Sequence, residues 1–306
     1  MQITDVLPRD AIPSIDDPEF GPGYDGSEAD DVVVVDGELP RGYPIRILNY
    51  HEVVNDVVDG RPVAMTWCPI CGSAVVYDAT IDGQQLTFGV SGKLADDDLV
   101  LYDRQTESEW KQSTGRCIAG ELEGESLSPL AAPMVSVASF RESYPDGVLL
   151  QPQDDGSAAG RDYDSAPYED YFSGEGFGLG PMRGSGPSRE WDRDDLDPKT
   201  VVLGLQHDGE AVGFPRARIE AAGGVVTATV GEMRVVVVAT NDGLHAFEHP
   251  RFELTLSDDR LIGDDAVWTP ATGESDDGRR LTRLPARRLF AFAWQDDHGS
   301  DAFYQT

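Results

Sequence analysis

"VNDVVDGRPVAMTW", Val54 to Trp67, sets two apolar, β-branched runs on either side of Asp59-Gly60. Asp-Gly accepts the positive φ angles of a type I′ turn, so the stretch reads as a tight β-hairpin. The same grammar surrounds it: "VVVVDGELP" turns at Asp36-Gly37 and "VVYDATIDGQQLTF" at Asp82-Gly83. Together these signals predict a mainly β chain of antiparallel hairpins and meanders.

The pattern then repeats in order. "DGELPRGYPIRI" (Asp36 to Ile47) is echoed by "DGEAVGFPRARI" (Asp208 to Ile219), and "PVAMTWCPICGSAVVYD" by "VVVVATNDGLHAFE" (Val235 to Glu248). "WKQSTG" from Trp110 is echoed by "WTPATG" from Trp268. Two β-rich repeats from an internal duplication are therefore expected, over 30–150 and 200–306, after an N-terminal extension 1–29. Between them, 151–199 is rich in Gly, Pro, Ser and Asp, the composition of a linker. Its Tyr163, Tyr168, Tyr171, Phe172, Phe177 and Trp191 point instead to a strap packed on both repeats.

With 306 residues and 40% hydrophobic content, the chain can bury a core without disulfides. The net charge is −32, and Lys93, Lys111 and Lys199 are the only lysines. Such a surface repels itself in dilute buffer and is relieved in molar salt, which predicts a halophilic protein. It excludes nucleic acid as a partner, since phosphate binding needs clustered cations. The acidic runs Asp96-Asp97-Asp98, Asp194-Asp195 and Asp258-Asp259 read as solvated faces with no catalytic role. "MQITDVLPRDAIPSIDDPEF" has no basic start and no apolar stretch, and no run of about 18 apolar residues follows, so a soluble, cytoplasmic chain without a membrane span is expected.

Chemistry concentrates on sulfur. Cys68 and Cys71 lie in "TWCPICGSAVVYD", the shape of a rubredoxin or zinc-ribbon knuckle, in which proline and glycine turn two thiolates toward one ion. No second knuckle exists, so further ligands must come singly, from Cys117 in "TGRCIAGELEG" and His51 in "LNYHEVVND". At the matching place the second repeat has Thr240-Asn241-Asp242-Gly243, which keeps the glycine and drops the sulfur, so the fold does not need the thiols. The leading expectation is a thiolate-centred zinc or copper site at Cys68, Cys71, Cys117 and His51.

Two alternatives stand beside it. Asp103, Arg104, Glu107, Trp110 and Gln112 in "YDRQTESEWKQSTG" have the polar and aromatic density of a cleft for a ligand or protein partner. Cys68 with His51 as base would make a redox or nucleophilic enzyme. A thioredoxin-like reading lacks its activator, because the segment after Cys71 reads as a hairpin and not a helix. "FGVSGKL" lacks the glycine and hydroxyl of a phosphate loop, and "DDDLVLYDRQTE" lacks the glycine and closing acid of an EF-hand.

Five blocks in order, "LPRDAIPSIDDPEF", "YPIRILNYHEVVND", "TWCPICGSAVVYD", "FGVSGKLADDDLVLYDRQTESEWKQSTG" and "LFAFAWQDDHGSDAFY", make the chain resemble the domain-of-unknown-function family 3179. The resemblance implies no activity. Many members look secreted or lipid-anchored, and this chain departs from them in lacking an export signal. It implies that His51, Glu52, Asn55, Asp56, Cys68, Pro69, Gly72, Trp110 and Gly115 fall on motif positions, whereas the position of Cys71 is often threonine in similar sequences. That leaves Cys68 and His51, with Gln112 or Cys117, as an implied mixed N/S set suited to copper as well as zinc.

Overall fold

A computed structural model describes residues 1–153 and 162–305, so 154–161 of the 151–199 segment lie outside the described residues. The Asp59-Gly60 turn joins strands Val53–Val58 and Arg61–Cys68 as a two-residue hairpin, with φ of 50° and 79°. Asp82-Gly83 repeats it between Thr80–Ile81 and Gln84–Gln85, with φ of 50° and 79°. Asp36-Gly37 differs. It opens a five-residue connection, because Val35 pairs with Arg41 and residues 36–40 stay outside the ladder.

The chain is mainly β and forms several antiparallel sheets. One has six strands in the order Glu210–Pro215, Val201–His207, Arg287–Phe290, Ser73–Asp78, Arg61–Cys68 and Val53–Val58. It thus joins strands from both ends of the sequence, through Arg288 opposite Ala74. A second sheet of five runs Ile3–Asp5, Phe88–Ala95, Asp98–Asp103, Glu109–Lys111 and Arg116–Ala119. The sheet that carries Asp31–Val35 and Arg41–Pro44 contains a parallel pair, where Val148–Leu150 lies beside Arg41–Pro44.

The order of elements recurs. A hairpin (31–35, 41–44), a helix (Ile45–His51), a three-strand meander (53–78), a second meander (88–119), a strand (134–136) and a helix (Val137–Ser143) form one run. The other run is a hairpin (201–215), a helix (Arg216–Ala221), meanders over 225–248 and 255–275, a strand (287–290) and a helix (Ala291–His298). The hairpins share register, since Val32 faces Pro44 as Val202 faces Pro215.

The helix Ile45–His51 starts directly after Pro44, whose fixed φ suits a helix entry. It buries Ile45, Ile47, Leu48 and His51. The turn grammar gave no sign of it, because "PIRILNYH" follows a hairpin and carries no cap signal. Among the described residues no helix is long and apolar enough to cross a membrane.

The largest apolar cluster draws on the whole chain. It joins Cys68, Cys71, Phe88 and Trp110 to Leu289, Phe292 and Trp294, and to Tyr171 and Phe177 of the intervening segment. Two faces meet inside it, the knuckle end of the six-stranded sheet and the Asp98–Trp110 face of the five-stranded one.

Candidate metal centre

Cys68 ends the strand Arg61–Cys68, and Pro69 to Gly72 loop over before Ser73 pairs back across from it. Gly72 has φ +57°, and a Cβ there would stand 2.8 Å from the Phe290 ring. Only glycine meets both demands. Three carbonyls of the loop are gripped from outside. Tyr171 Oη donates to Ile70 O at 2.8 Å, Phe290 N to Cys71 O at 2.7 Å, and Arg288 Nη1 to Gly72 O at 2.9 Å. The loop is therefore set by distant parts of the chain as much as by its own proline and glycine.

Asp98 approaches from the five-stranded sheet. Asp96 and Asp97, with φ of 53° and 66°, form the two-residue turn after Ala95, and Asp98 opens the returning strand. One donor atom each from Cys68, Cys71 and Asp98 lies within 4.8 Å of the others, and all three residues are buried. A tetrahedral zinc about 2.3 Å from sulfur holds its donors roughly 3.8 Å apart, so small adjustments close this cluster on an ion.

The polar inventory around it is incomplete. Asp98 Oδ2 accepts from Ser113 N at 2.8 Å, but Asp98 Oδ1, Ser73 Oγ and Gln112 Oε1 are buried without a hydrogen-bond partner. Gln112 is fixed by donating from Nε2 to Thr66 Oγ1 at 2.9 Å and to Ser73 O at 3.3 Å. Orphaned buried acceptors cost about 1–3 kcal/mol each unless something fills the valence.

Electrostatics fit the same picture. Burial pushes the Cys71 thiol well above its usual range, and Cys68 and Asp98 push it further. Burial also lifts the Asp98 carboxyl to about 6, against the pull of Lys111. Burial opposes the Lys111 charge, yet Asp297 and Asp98 hold its ammonium above the ordinary lysine range. Lys111 Nζ donates to Asp297 Oδ1 at 2.5 Å, and Ser113 Oγ to Asp297 Oδ2 at 2.7 Å, so the helix Ala291–His298 anchors the cation.

His51 and Cys117 are not part of this cluster. The sequence suggested that His51 sits one strand before the knuckle, but it is the last residue of a helix. There its Nδ1 meets Pro13 O at 3.0 Å and its Nε2 meets Tyr163 Oη at 2.6 Å. Cys117 lies opposite Trp110 and its Sγ contacts Ala119 O at 3.4 Å. Burial pushes its thiol up as well.

The residues considered for a cleft do not share one surface. Trp110 is fully buried, with Nε1 donating to Asp103 Oδ2 at 3.0 Å and its ring edge-on to Phe88. Asp103 also accepts from Thr106 N at 2.6 Å and so closes its own turn. Arg104 faces outward to Asp10 and Asp16 at 3.6 and 3.4 Å, Glu107 is exposed beside Arg9, and Gln112 is in the core.

Asp98 is the residue that sequence reasoning passed over, as the third member of an acidic run. It is 1% exposed, so the solvated-face reading fails there. The available signal was local: an Asp-Asp turn between "VSGKLA" and "DLVLYD" makes the third aspartate a strand residue.

No curated protein and no solved structure matches this chain. One family pattern does, over residues 9–301, described as "Protein of unknown function (DUF3179)". The buried Cys–Cys–Asp cluster thus sits within the matched region, and the chain belongs to the DUF3179 family.

Proposed function

We propose that the protein binds one zinc ion through Cys68, Cys71 and Asp98. The observation that carries this reading is the convergence of three buried donors from two sheets, one of them a carboxylate with an orphaned oxygen. Two thiolates and a carboxylate on a dication leave one negative charge, and the buried Lys111, itself paired with Asp297, stands as the neighbouring cation. The carboxylate favours zinc over copper(I), which prefers an all-soft set. Three protein ligands leave a fourth tetrahedral position for an outside group, as in catalytic zinc sites.

Zinc titration of chelator-treated protein tests this. One site per chain is expected, with affinity that falls as pH is lowered, because the metal must displace a proton from the buried Cys71 thiol. A redox dithiol would give another result: no zinc uptake, and two fewer titratable thiols after mild oxidation.

The recurring element order and the shared hairpin register support descent of the two halves from one duplicated unit. Thr240 and Gly243 then occupy the places of Cys68 and Ser73, with a shorter loop between them. Tyr163 on the helix Ile45–His51, Tyr171 on the knuckle and Phe177 against Phe292 at 5.0 Å support a strap role for the intervening segment. Reduced thiols suit a cytoplasmic location.

The net charge of −32 supports salt adaptation. Raising KCl from about 0.1 M to about 3 M shrinks the Debye length from roughly 10 Å to below 3 Å, and the melting temperature should climb steeply with it. A flat or falling melting temperature over that range would remove the halophilic reading.

A further inference from the structure

Beside the proposed centre is a second feature that it does not use. A cavity of about 150 Å³ lies between Cys68, Pro69 and Ile70 of the knuckle and the strand residues Val90, Leu94 and Leu99. Val6, Leu7, Ile12 and Met182 line the remaining sides up to an open rim at the exposed Leu7, so its walls are mostly carbon. A cavity of this size holds a six-membered ring.

Two polar groups face this space, Glu52 and Tyr168. Glu52 is 5% exposed, and its carboxyl makes no hydrogen bond or ion pair among the described residues. Burial alone lifts that carboxyl to about 8, so it is a neutral hydrogen-bond donor at pH 7. The Tyr168 hydroxyl likewise has no hydrogen bond among the described residues, and burial, Glu52 and Cys68 all push its phenol upward. The other charged groups on the wall are engaged, Lys93 with Glu109 at 2.6 Å and Arg183 with Val6 O at 3.2 Å.

Glu52 also carries a backbone cost. It caps the helix Ile45–His51 in the left-handed region, φ 59° and ψ −24°, where glycine would be unstrained. A left-handed non-glycine residue costs on the order of 1 kcal/mol, and an unpaired buried carboxyl costs more. The left-handed turn itself ends the helix, with Glu52 N donating to Leu48 O at 2.8 Å, whereas the carboxyl makes no contact of this kind among the described residues. An unpartnered group of this kind is accounted for when the side chain is held for a ligand.

We propose that this cavity is a binding chamber for a small, neutral, mainly apolar molecule with one hydrogen-bond acceptor, which the Glu52 carboxyl and Tyr168 hydroxyl hold against Cys68. The acceptor takes the Glu52 proton in a hydrogen bond while the ring or branched chain fills the carbon-lined end. Anions are disfavoured, because the carbon-lined end offers nothing to replace their hydration, and the cations on the wall are already engaged, Lys93 by Glu109 and Arg183 by Val6 O. The chamber exists whether or not Cys68 carries zinc. Only the presentation of its ligand to a metal rests on the proposed centre.

Cyclohexanone, cyclohexanecarboxylate and methylcyclohexane, matched in ring size, are suitable probes for calorimetry or saturation-transfer NMR at pH 7. Cyclohexanone should bind saturably with one site per chain, methylcyclohexane at least tenfold more weakly, and the carboxylate not at all. Glu52→Gln, which keeps a donor, should retain cyclohexanone, whereas Glu52→Leu should lose at least tenfold. Ile12→Trp at the half-buried rim should block the site, with Val90→Phe as a second filling variant. Cys71→Ser, which lines no part of the cavity, should lose zinc and keep cyclohexanone, so failure of the metal reading and failure of the chamber are separable. The chamber is overturned if wild-type protein binds no cyclohexanone, or binds it equally well in both filled variants.

Discussion

Replacing Cys71 with serine is expected to cut bound zinc from about one ion per chain to less than about a tenth, with the fold intact. Serine matches the thiol in size and is a far poorer zinc ligand, so the variant removes coordination and leaves packing nearly unchanged. The loop would still be held by Tyr171, Phe290 and Arg288 through its carbonyls. Asp98→Asn should likewise lose the metal, because a neutral amide oxygen is a weak substitute for a carboxylate in a three-ligand set. Cys117→Ser and His51→Ala are the discriminating controls. Neither residue belongs to the cluster, so both variants should load zinc like wild type once folded protein is recovered. Elemental analysis after exhaustive dialysis reads all four. Zinc lost by Cys117→Ser would shift the ligand set back toward the one that spacing alone suggested, and zinc retained by Cys71→Ser toward the set without Cys71 that the family resemblance implied. Zinc should also raise the melting temperature of wild type relative to the chelated form, and do nothing for Cys71→Ser.

The second large effect belongs to Trp110, and it is one of stability. The side chain is fully buried edge-on against Phe88, and its indole N–H is one of the donors that satisfy Asp103. Trp110→Ala should cost about 3–5 kcal/mol for the cavity and roughly 1 kcal/mol more for the lost Asp103 donor. That is a large share of the ~5–15 kcal/mol that domains possess. Trp110→Phe keeps most of the volume and should lose about half as much. Urea midpoints measure both. The outcome against this reading is a loss below about 1 kcal/mol for Trp110→Ala, which would mean the ring has accessible work outside the core. Zinc content per folded chain should not change in either variant, because the indole N–H of Trp110 is bound to Asp103 and to no ligand of the proposed centre.

Much of the scaffold was legible because it is local. Asp59-Gly60 and Asp82-Gly83 encode their turns within two residues, and the runs beside them encode strands by composition. The knuckle was legible for the same reason, as a five-residue shape. The partners of Cys68 were not, because they depend on how two sheets stack. Asp98 meets Cys71 only once an Asp-Asp turn has set the register of one sheet and Phe290 and Arg288 have set the loop of the other. His51 is closer to Cys68 along the chain than Asp98 or Cys117 is, yet it ends a short helix with its ring against Pro13 and Tyr163. Glu52 gave no warning of its burial, since an acid after a histidine in "NYHEVV" looks like an ordinary surface residue.

The strand Arg287–Phe290 lies near the end of the sequence, yet it clasps the carbonyls of Cys71 and Gly72 near the beginning. During synthesis the thiols therefore leave the ribosome more than two hundred residues before the segment that shapes their loop. Capture of a metal by the proposed centre would then be a late event, after release of nearly the whole polypeptide, and a nascent chain halted short of Arg287 would offer two loosely held thiols in place of the folded loop.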